Sequence, residues 1–183
     1  MEHWDLFDRN GTPLGRTIQR GDRLHAGEYH KVVHIWVVNS VDRVLIQRRS
    51  KHRMLMPNVW AVTSGSVIAG EDSLTAARRE LSEELGIHLP ETEFELLGRL
   101  VRRSSLCDVW LVRRDIAVPD MCLQHEEVSQ ARWVTVNQLT EMLRCRQFHH
   151  YGAGYFRFVF DAIAKTTGRD LARGEDFKCS PKR

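Results

Sequence analysis

The chain has 183 residues, 42% apolar and 28% charged, a balance with enough apolar material for a real core in one domain with embellished ends. A formal charge of +3 is too mild for a dedicated nucleic-acid binder, so no specific nucleic-acid partner is expected. Cys107, Cys122, Cys145 and Cys179 form no CxxC pair, which argues against a zinc site or a disulfide framework and for reduced thiols.

In chain order, the acidic, turn-broken amino end "MEHWDLFDRNG" does not read as a signal peptide, and no apolar run approaches the ~20 residues of a membrane span. The expected location is the cytoplasm, with no membrane partner. Residues 4–8 read as a short strand and "RNGTPLG" as a turn. The β-branched and aromatic run 31–39 and the run 44–49 predict an antiparallel hairpin. The polar, basic loop "SKHRMLMPN" leads to one short strand, 59–63. A glycine-bounded stretch, 65–71, precedes a helix from about Ser73 to Leu85. Residues 93–103 and 106–114 read as a second hairpin, followed by an acidic loop and a strand over 131–136. Helices are expected at "NQLTEMLRC" and over 155–167. This order predicts an α/β domain with a mixed sheet flanked by helices. The organisation expected is a strand-and-turn extension over 1–30, a domain over 31–170 and a polar tail over 171–183.

The helix after Gly70 carries an unusual charge pattern. With Glu80 taken as zero on a helical wheel, Glu84 falls at about +40° and Glu83 at about −60°. Leu74, Ala77, Leu81 and Leu85 form an apolar stripe between about 60° and 140°. The three acids are therefore expected to share one face beside that stripe. Asp72 or Ser73 is the expected N-cap and Gly86 the C-terminal stop. Such a face is either solvated, with Arg78 and Arg79 as partners, or a seat for a hard divalent cation bound through carboxylate oxygens.

The wider stretch "GSVIAGEDSLTAARRELSEELGI", residues 65–87, matches the Nudix box at each defined position: Gly65, Glu71, Arg79-Glu80-Leu81, Glu83-Glu84 and Gly86-Ile87. The chain thus resembles the Nudix superfamily. That resemblance implies an α/β/α sandwich with a mixed sheet, and hydrolysis of a diphosphate linked to some moiety X with Mg²⁺ or Mn²⁺ as cofactor. It implies that Glu80, Glu83 and Glu84 are metal ligands and that Arg79 orients a box glutamate. Glu71 would be a supporting acid and outer ligand, and Gly65 part of the substrate-binding set. Glu126 and Glu127 are candidates for a loop-borne base or extra ligand, against the alternative of an exposed acidic loop. The partner implied is a small-molecule diphosphate, and a homodimer is compatible with the sequence.

A second resemblance, to the type 1 isopentenyl-diphosphate isomerases that share the Nudix fold, rests on "GEYHKVVHIWVVN" and "LIQRRSKHRMLMPNVW". It implies that Arg49 and Arg53, with Arg48 alongside, grip a diphosphate. It also makes His30, or else His34, a candidate metal ligand, with a hydrogen-bonded histidine as the alternative. The isomerase pattern fails where its Cys-Gly-His would stand, because Ser64-Gly65-Ser66 occupies that place. A serine hydroxyl is far less acidic than a thiol, so the expectation is hydrolysis. An isomerase-like enzyme and a non-catalytic nucleotide sensor are the alternatives, although no box carboxylate is missing. No signature identifies X. Trp60, Phe94 and Trp110 are aromatic candidates for stacking on a base.

Overall fold

The computed structural model describes residues 2–152 and 154–167. The expected tail over 171–183, with Cys179, lies outside the described residues. Two compact units divide the chain: Met1–Trp36 with Thr63–Val112, and Val37–Val62 with the chain from Arg113 onward.

In the first unit, β1 (His3–Phe7) pairs antiparallel with β2 (Pro13–Gln19) in a two-stranded sheet. The expected turn closes over residues 9–12, and its last three residues, Pro13, Leu14 and Gly15, begin the second strand. Most of β2 is exposed and shows no apolar alternation, so only its ladder with β1 makes it a strand. The strand β3 (His30–Val38) pairs antiparallel with β6 (Thr63–Ser66), and β7 (Phe94–Val101) with β8 (Ser105–Arg113). β3 and β8 are neighbours. His30 N–H donates to Ser104 O at the start of both strands, and Arg114 N–H donates to Val38 O at their ends. The two therefore run parallel and the sheet is mixed, the α/β class expected. His34–Val38 and Leu106–Val112 are unbroken buried runs, as parallel strands covered on both faces require.

In the second unit, Val38 faces Val44 across the expected hairpin, whose turn is closed by Asn39 Oδ1 accepting from the Val41 and Arg43 amides. The strand β4 (Val44–Arg49) is flanked by β5 (Trp60–Ala61) and β9 (Val128–Val134), both antiparallel. The single strand expected over 59–63 is split: β5 pairs with β4, whereas β6 pairs with β3. The helices α2 (Val136–Arg144) and α3 (Tyr155–Thr167) follow. Among the described residues, no helix is long and apolar enough to cross a membrane.

The helix that carries the acids, α1 (Ser73–Leu85), has the expected ends. Asp72 Oδ1 accepts from Thr75 N–H at 2.7 Å, satisfying one of the first-turn amides that lack a helical partner. Gly86 takes φ 68°, a left-handed conformation that stops the helix. Replacing the cap, Asp72→Ala, should lower stability by about 1 kcal/mol. Urea unfolding should show this as a lower midpoint with an unchanged slope.

Candidate active site

The centre of the first unit's acidic cluster is a guanidinium. Arg79 Nε and Nη2 donate to the two carboxylate oxygens of Glu71 at 2.8 and 3.1 Å. Its Nη1 donates to Glu80 Oε1 at 2.8 Å and to Glu83 Oε2 at 3.1 Å, and Nη2 also reaches Ser66 O at 3.0 Å. Three acids thus share one cation, each by a charge-assisted bond, and the Glu71 pair is bidentate. Hydrogen bonding to Glu71, then the charge of Glu80, holds Arg79 protonated even more firmly than a free guanidinium.

Local folding explains this convergence. Residues 79, 80 and 83 lie on adjacent turns of α1, and Glu71 precedes the helix on the loop from β6. Glu71 Oε2 also accepts from the Ile68 amide at 3.2 Å, tying the side chain back to its own loop. Glu80 lies against Gly65 in β6. A Cβ at residue 65 would stand 2.0 Å from the Glu80 carboxyl carbon and from Oε1. Gly65 is therefore needed for the space that Glu80 fills.

The three helix acids differ in exposure along the face they were expected to share. The Glu83 side chain is 52% exposed and that of Glu80 is 14% exposed, whereas Glu84 is buried at 3%. At about +40°, Glu84 lies only about 20° from the edge of the apolar stripe, so packing of that stripe draws it inward. Burial pushes the Glu80 carboxyl above its ordinary range, against the opposing charge of Arg79.

These residues fit a hard cation in donor chemistry. All are carboxylates, and Glu80 Oε2 and Glu83 Oε1 have no hydrogen bond among the described residues. In the arrangement seen, Arg79 takes the charge. Among the described residues, no three His, Cys, Asp or Glu side chains already form a group that could hold a metal ion.

One acid near this cluster escaped sequence reasoning. Glu2 accepts from Trp4 Nε1 at 3.0 Å and Arg20 Nη1 at 2.6 Å, and its charge acts on both Arg79 and Glu80. Nothing in the local sequence links Glu2 to the box, because β1 is brought there by tertiary contacts. His30 stacks on Trp4 with ring centroids 4.0 Å apart, and burial lowers its pKa, favouring neutral imidazole. His34 is buried opposite Ser64.

The expected arginines after β4 and the acids Glu126 and Glu127 belong to the second unit. Arg49 is buried, and its Nε donates to Leu55 O at 3.0 Å. Arg48 Nε donates to Asn58 O at 3.2 Å. Both arginines therefore shape the loop that follows β4. Arg53 forms an ion pair with Glu127, while Glu126 is exposed. Of the aromatic candidates, Phe94 and Trp110 are buried, and the Trp60 ring is covered by the Arg132 guanidinium at 4.4 Å.

Comparison with known proteins agrees with this architecture. A NUDIX domain is matched over residues 28–152. An uncharacterized Nudix hydrolase of Listeria monocytogenes is 36% identical over 152 residues, covering 82% of this chain and 90% of its own length. The crystal structure of DR0079 from Deinococcus radiodurans aligns with a TM-score of 0.71 at 26% identity, covering 86% of this chain and 98% of that one. The NUDIX domain of Shewanella oneidensis NrtR, solved with ADP ribose, shares the fold at 16% identity and a TM-score of 0.57, covering 75% of this chain and 88% of that one.

The contact between Gly65 and Glu80 gives a sharp test. In Gly65→Ala the new methyl should displace the flexible end of Glu80 rather than the backbone, so the thermal midpoint should stay near that of the wild type. Turnover should fall by ~10²-fold, the scale of a misplaced catalytic group. A fully active variant would separate the Glu80 position from catalysis.

Proposed function

The chain belongs to the Nudix family and is a hydrolase of that family, and on this premise we propose its reaction and cofactor. The substrate is a nucleoside diphosphate joined to a second moiety X, and the bond cleaved lies within the diphosphate. The cofactor is Mg²⁺ or Mn²⁺, held by Glu80, Glu83 and Glu84 with Glu71 in support. Such an ion neutralises the diphosphate and lowers the pKa of water. The observation that carries this reading is the convergence of Glu71, Glu80 and Glu83 on one guanidinium.

In this reading Arg79 fixes the carboxylates that serve the reaction and offsets their repulsion. Glu71, bound to Arg79 and to its own loop, keeps that guanidinium in register. Gly65 contributes by leaving room for Glu80. Arg48, Arg49 and Arg53 serve the substrate's diphosphate, with Arg48 and Arg49 at the end of β4 shaping the loop that carries Arg53. Glu126 and Glu127 are the candidate proton acceptors, and Glu127 is paired with Arg53. The catalytic domain is taken as 31–170, with 1–30 as its extension. A cytoplasmic location is supported by the free thiols of Cys107, Cys122 and Cys145.

Phosphate release from a panel of diphosphate compounds, with and without Mg²⁺ or Mn²⁺, tests the reading. Glu83→Gln should lower kcat by at least ~10²-fold with little change in stability, because this side chain is exposed. Full activity without a divalent ion, or in the variant, would sink the assignment.

The isomerase alternative needs a group that moves a proton on carbon. Cys107 is the thiol within the box's own unit. It is fully buried on β8, opposite Leu100, and burial pushes its pKa up to about 12. Such a thiol is a poor proton donor or acceptor near neutrality. Incubation with isopentenyl diphosphate and Mg²⁺ should therefore yield no dimethylallyl diphosphate. Efficient isomerisation, abolished by Cys107→Ser, would overturn the hydrolytic reading.

A further inference from the structure

The loop between β6 and α1 makes few of its hydrogen bonds within the box. Val67 N–H donates to Lys31 O, Ile68 N–H to the Glu71 side chain and Glu71 N–H to Ile68 O, at 3.0, 3.2 and 3.0 Å. The two amides at the tip are taken by the N-terminal strand. Ala69 N–H donates to His3 O and Gly70 N–H to Asp5 Oδ2, both at 2.8 Å. All five successive amides are thus satisfied, two of them by β1, which precedes the matched NUDIX domain. Gly70 sits at φ +84°, so the loop tip adopts a left-handed turn that glycine takes without strain.

The strand that does the fixing is itself anchored. Leu6 and Phe7 are buried, and Phe7 exchanges two backbone bonds with Tyr29, at 2.8 and 2.9 Å. From Asp5 a path leads by hydrogen bond to the Gly70 amide, by the next peptide link to Glu71, which closes the 68–71 turn with Ile68, and by two hydrogen bonds from Arg79 to Glu71.

We infer that Asp5 and the His3 carbonyl are positioning groups for the active site: they fix the loop that aims Glu71 and, through Glu71, the Arg79 guanidinium. The inference rests on the hydrolytic reading above for its effect on rate, but not for its geometry. A small N-terminal hairpin thereby becomes a working part of the catalytic unit.

The test compares Asp5→Ala with Asp5→Asn, which keeps an acceptor oxygen, and repeats Asp5→Ala in a Glu71→Ala background, which removes the acceptor for both Ile68 and Arg79. Asp5→Ser serves as a milder substitution for the same cycle if Asp5→Ala folds poorly. Asp5→Ala should lower kcat by ~10-fold, the scale of lost outer support, and leave KM within about twofold. Asp5→Asn should recover most of the loss. In the Glu71→Ala background, Asp5→Ala should cost less than about twofold, because the path is already cut. An equal cost in both backgrounds would show a merely structural strand and overturn the inference. If the wild type cleaves nothing in the diphosphate panel, the hydrolytic reading fails by itself, and proton exchange at Arg79 Nε–H judges the positioning. Asp5→Ala should speed that exchange by ~10-fold through loss of local protection. An unchanged rate at Arg79 would overturn the inference.

Discussion

Bringing carboxylates together on one side of a short helix is unfavourable unless a cation joins them. Two like charges about 4 Å apart repel by ~4 kcal/mol at an effective dielectric constant near 20. Arg79 answers that repulsion from within the chain, with hydrogen bonds to Glu71, Glu80 and Glu83 at once. Two neighbouring segments also keep this guanidinium in place. The Ser66 carbonyl holds it from β6, and Glu71 holds it from the loop. An arginine suits this task better than a lysine, because a planar fork can bind one carboxylate at two points while reaching others.

The surroundings of Glu80 add a second constraint. Its carboxylate fills the space beside Gly65, where burial raises the energy of the ionised form. Ionised Glu80 is therefore kept at some cost, reduced but not removed by Arg79. Glu83 contributes the opposite character, an exposed acid that solvent can screen.

In the second unit, the basic residues after β4 are organised rather than loose. The buried Arg49 bonds to the carbonyl of Leu55, and Arg48 to that of Asn58, so two guanidinium groups tie down the loop they begin. Arg53 and Glu127 neutralise each other. The same residue types that read as phosphate-gripping in the sequence thus also perform a backbone task, since a long polar loop needs donors for its carbonyls.

The sequence by itself determined the box, the helix that bears it and both ends of that helix. These depend on interactions within a few residues: Asp72 capping Thr75, Gly86 adopting a left-handed turn, and a 3.6-residue period. The hairpin turn at Asn39 and the third helix, Tyr155–Thr167, were legible for the same reason. Tertiary structure decided what depends on distant partners. The strand Pro13–Gln19 exists because β1 lies beside it, and 59–66 is divided because β5 and β6 pair with different strands. The wheel placed Glu84 with Glu80 and Glu83, and its burial at 3% follows from the packing that covers the neighbouring apolar stripe. The hold of β1 on the 69–70 loop tip joins residues 65 positions apart. No local pattern encodes such a contact, because its hydrogen bonds form only once the strand and the loop have been packed together.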